Sequence, residues 1–186
     1  DGYRFDFTKG FTNRTGSGDA YDAGRVAILK RMADQIWSID STAYVILEHW
    51  GSNSEERELA DYGMMLWGNS NYNYNEATMG YNDDGKSNFS WASYQQRGWN
   101  APHLVSFMES HDEERLMYKN LQYGNSSGVY NVKDLATALD RMELAGAFYF
   151  TFPGPKMIWQ FGELGYDVSI DFNGRVGEKP IRWNYV

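Results

Sequence analysis

The sequence contains no cysteine, which removes disulfides, thiol catalysis and thiolate-bound zinc together and leaves the redox compartment unread. Histidine is scarce: three residues, no two of them at zinc-ligand spacing, which argues against a histidine-built zinc site. Positive charge is the minority sign. With 17 Lys and Arg against 25 Asp and Glu, the net charge is −8, and no basic stripe interrupts it, so a phosphate backbone is a poor partner and nucleic acid is not expected. No apolar run approaches the ~20 residues that a membrane span needs, and the opening Asp1-Gly2-Tyr3-Arg4 does not read as a signal peptide. Internal repeats and low-complexity tracts are also missing.

What is present is a chain of 186 residues, 42% hydrophobic, enough for one domain or a large piece of one with a sizeable core. Aromatic content is high at 17%, including 7 Trp and 14 Tyr. Such rings fill cores and also stack on the flat faces of sugars. Trp67, Tyr72, Tyr74, Tyr81, Trp91 and Trp99 fall in or beside a stretch rich in Asn, Tyr, Gly and Ser between Asn69 and Asn100, which reads as a long decorated loop with a helical portion from Tyr74 to Met79.

Elsewhere strand-like and helix-like patterns alternate. Tyr3-Arg4-Phe5-Asp6-Phe7 alternates as a strand does, and Asp19 to Ile39 carries Val26, Leu29, Ala33 and Ile36 at helical spacing. Ala43 to Leu47 reads as a buried strand, and Ser54-Glu55-Glu56-Arg57 opens a helix with a capping residue and first-turn acids. Gly63 to Trp67 and His103 to Met108 read as two more strands. A polar turn at Gly124 to Gly128 leads into a helix from Val132 to Phe150, with Leu135, Leu139, Met142 and Tyr149 inward; Pro153-Gly154-Pro155 stops it, and Lys156 to Phe161 makes a fifth strand. The pattern predicts a parallel α/β sheet.

Three of these strands deliver carboxylates at or near their C-terminal ends: Asp6, Glu48 and Asp112. Acids at the ends of several different strands favour a barrel over an open sheet, which gathers its site at one switch point. A complete barrel needs eight strands and about 250 residues. The expected fold is therefore a partial TIM (β/α)8 barrel, strands 4 to 8 with their helices over residues 1–168, the first three units lying outside this sequence. Residues 169–186 are read as a transition toward a further β domain.

Paired acids on one rim fit glycoside chemistry. Retention requires a carboxylate nucleophile and a carboxylic acid roughly 5–5.5 Å apart. Arg4, two residues before Asp6 on the same strand face, would keep that aspartate ionised, and an apolar wall near Trp50 with a neighbouring anion would hold Glu48 protonated. Taken singly, each element has a plainer meaning: Arg-x-Asp as a structural ion pair, Glu-His-Trp as a weak pattern, His-Asp as a loop hydrogen bond or a metal pair. His49 and His103 read as structural. Glu109 and Glu113 flank Asp112, and the inward direction of Glu109 is open.

Together the stretches resemble the alpha-amylase family, glycoside hydrolase family 13. Its second conserved region, Gly-aromatic-Arg-x-Asp with a lysine three residues on, is met by Gly2, Tyr3, Arg4, Asp6 and Lys9. The third, an apolar strand ending in glutamate, is met by Glu48, followed by Trp50; the fourth, Phe-x-x-x-His-Asp, by Phe107, His111 and Asp112. Phe161-Gly162-Glu163 resembles the end-of-barrel Tyr-Gly-Glu. The resemblance covers nearly the whole chain. It implies Asp6 as nucleophile, Glu48 as general acid and base, and Asp112 as the third carboxylate that grips sugar hydroxyls. It also implies sugar contacts for Arg4, Lys9, Trp50 and His111.

The substrate so implied is an α-1,4-glucan or maltooligosaccharide, hydrolysed with retention and with no cofactor in the chemistry. Structural calcium in a full-length enzyme is compatible with the pattern: many members have histidine after the lysine and bind calcium through its carbonyl, and Gly10 here keeps a carbonyl at that place. The family's first region, Asp-x-x-x-Asn-His, does not occur in the sequence. Transglycosylation uses the same three acids, and a noncatalytic carbohydrate-binding barrel is the reading from another class. A five-unit barrel has open edges and uncovered apolar surface, so the isolated chain is expected to be nearly inactive and to self-associate.

Overall fold

The computed structural model describes residues 1–16 and 18–185. The strands are β1 (Gly2–Phe5), β2 (Tyr44–Leu47), β3 (Met65–Asn69), β4 (Leu104–Phe107), a small hairpin of β5 (Ser126–Ser127) and β6 (Tyr130–Asn131), and β7 (Lys156–Met157). The helices are α1 (Ala23–Trp37), α2 (Asn53–Tyr62), α3 (Asn71–Met79), α4 (Leu116–Tyr123) and α5 (Leu135–Thr151). Five strands form one sheet in the order β1-β2-β3-β4-β7, with parallel pairing at β1–β2, β2–β3 and β4–β7. The expected α/β class holds. Sheet neighbours follow one another along the chain, without the reversal of strand order that marks a doubly wound sheet. Among the described residues, no helix is long and apolar enough to cross a membrane.

The chain forms two compact units. The first holds Asp1–Gly68, Ser93–Val105 and Pro153–Pro155; the second holds Asn69–Ala92, Ser106–Phe152 and the chain from Lys156 onward. In the first unit, helical spacing puts Val26, Leu29 and Ala33 on one face of α1, where they join Val45 and Leu47 of β2, Leu59 and Ala60 of α2, and Leu66 and Leu104. Each fully buried Leu contributes roughly 1.5–3 kcal/mol. Asp22 caps α1, its carboxylate accepting from Gly24 N at 2.9 Å and Arg25 N at 3.4 Å. The cap of α2 is Ser52, two residues before the expected start, and Gly63 ends that helix at φ 120°, which only glycine adopts without strain.

In the second unit α3, α4 and α5 pack on one another around Tyr74, Leu116, Ala145 and Tyr149, with Phe89 stacked on Tyr74 at 4.3 Å. The Tyr149 hydroxyl donates within reach of the carbonyls of Ser106 (2.7 Å) and Met157 (2.8 Å), tying α5 to β4 and β7. Two expectations need correction here. Leu135 and Leu139 are 61% and 38% exposed, and the buried stripe of α5 runs through Ala138, Ala145 and Tyr149. The fifth strand covers Lys156–Met157 only, because the chain leaves the ladder and turns at Phe161, φ 63°. Helix α4 and the hairpin had no expectation at all.

Candidate functional site

The parallel register Arg4↔Ile46 and Phe5↔Leu47 brings β1 and β2 to a common end, and the ladder runs one step further: Glu48 N donates to Phe5 O at 3.0 Å and Thr8 N to Glu48 O at 2.8 Å. Asp6 and Glu48 are therefore the first residues past two adjacent strands. Between them Phe7 takes a left-handed conformation, φ 46°, which costs a non-glycine residue roughly 1–2 kcal/mol. That turn aims the Phe7 N–H at Glu48 Oε2, 2.9 Å away.

One guanidinium spans both acids. Arg4 Nη1 donates to Asp6 Oδ1 at 3.3 Å, while Nη2 lies 2.9 Å from Glu48 Oε1, an ionic contact without the angle of a directed hydrogen bond. The guanidinium rests over the Trp67 ring, 4.8 Å from its centroid. The two carboxyls meet unlike surroundings: the Asp6 side chain is 76% exposed and that of Glu48 is 5%. Burial raises the Glu48 pKa above the usual carboxylate range; the Phe7 N–H opposes it, a hydrogen bond with Asp6 raises it again, the Arg4 charge lowers it and the Asp6 charge raises it. A buried carboxyl with a raised pKa beside an exposed one is the kind of asymmetry that acid–nucleophile pairs use.

Trp50 sits at φ 52° and its indole N–H donates to Trp67 O at 3.1 Å, so Trp67 carries both Arg4 on its ring and Trp50 on its carbonyl. The ammonium of Lys9 pairs with Asp19 at 3.0 Å. His49 is wholly buried and His103 Nδ1 lies 2.7 Å from Ala60 O, both in structural contacts.

In the second unit His111 Nε2 and Asp112 Oδ2 form a pair at 3.1 Å, each side chain roughly half exposed (45% and 46%), and Trp159 lies 5.8 Å from the imidazole centre. The loop that presents them is stapled by Asn71, whose amide donates to the carbonyls of Met108 and Glu114, both at 2.8 Å. Arg115 donates to the carbonyls of Ser110 and Glu113. Glu109 is withdrawn from solvent, at 5% exposure, and accepts the Leu116 N–H at 2.6 Å, so it caps α4. Burial pushes its pKa up to about 7, against the Leu116 N–H and the Arg115 charge. Glu113 takes the Asn69 amide at 2.6 Å and is also raised by burial. Asp112 is the acid of this loop left facing outward.

Of the six aromatic residues singled out in the sequence, Trp67, Tyr74 and Trp99 are buried, while Tyr72 and Trp91 are 61% and 57% exposed. The exposed pair can meet a ligand; the buried ones pack. Among the described residues no group of three or more His, Asp or Glu side chains is arranged to hold a metal ion. No protein-family model matches the sequence, and comparison with curated proteins also gives no match.

Proposed function

We propose that the chain carries the catalytic carboxylates of a retaining glycoside hydrolase of the alpha-amylase type, acting on α-1,4-glucosidic bonds of starch-like glucans from the rim of a partial (β/α)8 barrel. The observation that supports this reading best is the Arg4 guanidinium held between exposed Asp6 and buried Glu48. Asp6, paired with Arg4 at 3.3 Å, attacks the anomeric carbon as a carboxylate; Glu48 gives its proton to the departing glycosidic oxygen, and a glycosyl ester forms on Asp6. Glu48, now a carboxylate, takes a proton from water, which opens the ester with overall retention. Asp112 and His111 hold sugar hydroxyls, Lys9 meets the leaving-group side, and Trp50 walls the acid from water.

An activated donor makes the chemistry measurable even where an incomplete barrel turns over slowly. The chain is expected to release fluoride slowly from α-maltosyl fluoride, with the α-anomer as first product, and Asp6→Asn is expected to abolish release. A β-anomer as first product, or release undiminished in Asp6→Asn, sinks the assignment. Turnover as fast as that of a complete family enzyme overturns the incomplete barrel.

A further inference from the structure

Glu55 and Glu56 stand side by side in the first turn of α2, at 0% and 4% exposure. Acids that served only the helix dipole would sit in water, and burying a carboxylate costs several kcal/mol unless it is paired. Both are paired, and the pairs lead away from the helix. Glu55 Oε1 takes Arg25 Nε at 2.6 Å and lies 3.0 Å from His49 Nε2; Oε2 takes Arg25 Nη2 at 2.8 Å and the Asp22 N–H at 2.9 Å. Arg25 in turn donates to the carbonyls of Lys9 at 2.6 Å and Ala20 at 3.0 Å.

Beyond His49, Nδ1 lies 2.9 Å from the Thr8 hydroxyl, which is itself 3.1 Å from the carbonyl of Glu48. Glu56 reaches the other side of the same loop: it pairs with Arg97 and accepts the main-chain N–H groups of Trp50 and Gly51. Arg97 is fixed in its turn, donating to Asn53 Oδ1 at 3.0 Å and lying 4.2 Å from the Trp99 ring centroid. Every one of these contacts lies within the first unit.

We propose that Glu55 and Glu56 are positioning residues: through Thr8 with His49, and through the Trp50 and Gly51 amides, they clamp the main chain around Glu48 so that its carboxyl meets Asp6 and Arg4. The assignment rests on the reading of Glu48 as the acid. Hydrogen counting gives the clamp its logic. Neutral His49 donates from Nε2 to Glu55 and must accept at Nδ1, so the single hydrogen of the Thr8 hydroxyl goes to His49 while the Thr8 N–H serves the Glu48 carbonyl.

The test is a carbon-13 carboxyl titration of Glu48 in the whole chain, comparing wild type, Thr8→Val and Thr8→Ser, alongside fluoride release from α-maltosyl fluoride. Thr8→Val is expected to shift the Glu48 midpoint by about half a pH unit, roughly threefold in proton affinity. It should also lower kcat about tenfold with KM within about twofold. Thr8→Ser, which restores the hydroxyl, should return both. A Glu48 midpoint unmoved in folded Thr8→Val overturns the proposal. If that variant does not fold, the unmodified chain decides: His49 ring nitrogen shifts must follow the Glu48 titration, and shifts that stay still overturn it too. A Glu48 response without Asp6-dependent turnover would keep the clamp and remove the hydrolase reading; turnover without the response would do the reverse.

Discussion

At the scale of single residues, Arg4 decides what the two acids can do. Its charge lowers the Glu48 pKa against burial, so Arg4→Met should push Glu48 further up, which a carboxyl titration reads directly. If Asp6 and Glu48 are the nucleophile and acid proposed above, loss of the cation between them should cost about 10²–10³-fold in kcat/KM for α-maltosyl fluoride. His49 gives a prediction with a sign. Burial lowers its pKa from 6.5 to about 4, so between those values the unfolded chain binds a proton that the folded chain refuses. Its stabilising contribution is present above pH 6.5 and lost as the pH falls toward 4, about 3 kcal/mol in all from 2.5 units. Amide exchange near Thr8 and Glu55 should quicken over that window, and His49→Gln should flatten the response. Asp6, Glu48 and Arg4 were legible because neighbouring strands place them in register. Glu55 and Glu56 were not: as first-turn acids they read as dipole partners, and Arg25 and Arg97, their actual partners, stand 30 and 41 positions away.

At the scale of elements, α4 shows why a helix can hide from its own sequence. Its N-cap position is Arg115, which offers no capping side chain, and the Leu116 N–H is satisfied by Glu109, seven residues back. The local signal is missing because a distant residue supplies it. The same arrangement gives Glu109 the opposite pH slope to His49: with a pKa raised from 4.5 to about 7, its stabilising share is full below pH 4.5 and lost as pH rises through 7. Glu109→Gln keeps an accepting oxygen without the charge, so it should stabilise the second unit above pH 7 by about 3 kcal/mol at most and remove that slope from chemical denaturation curves. An unchanged slope would place the titration elsewhere. Helix α5 illustrates phase rather than period. Helical spacing was plain, but two apolar stripes share it, and packing chose Ala138, Ala145 and Tyr149 over Leu135 and Leu139.

At the scale of the whole molecule, exposed apolar surface is the property with consequences. Leu135, Leu144, Phe148 and Phe150 of α5 are 61%, 47%, 50% and 61% exposed, and Ile158 is 46% exposed. Leu139, Phe150 and Ile158 line one open cleft, and Leu144 with Phe148 line another, and exposed apolar surface of this kind marks contact sites. Light scattering should therefore show concentration-dependent self-association at neutral pH, and Phe150→Glu should weaken it; a monodisperse monomer at high concentration would count against this. The sequence by itself determined the α/β alternation, the strand ends that Asp6 and Glu48 follow, and the buried face of α1, because each is written in local period and polarity. Only the tertiary structure decided which acids are buried, which arginine holds them, and what Glu55, Glu56 and Glu109 serve. Burial and ion pairing are made by residues far apart in the chain, and local pattern carries no record of them.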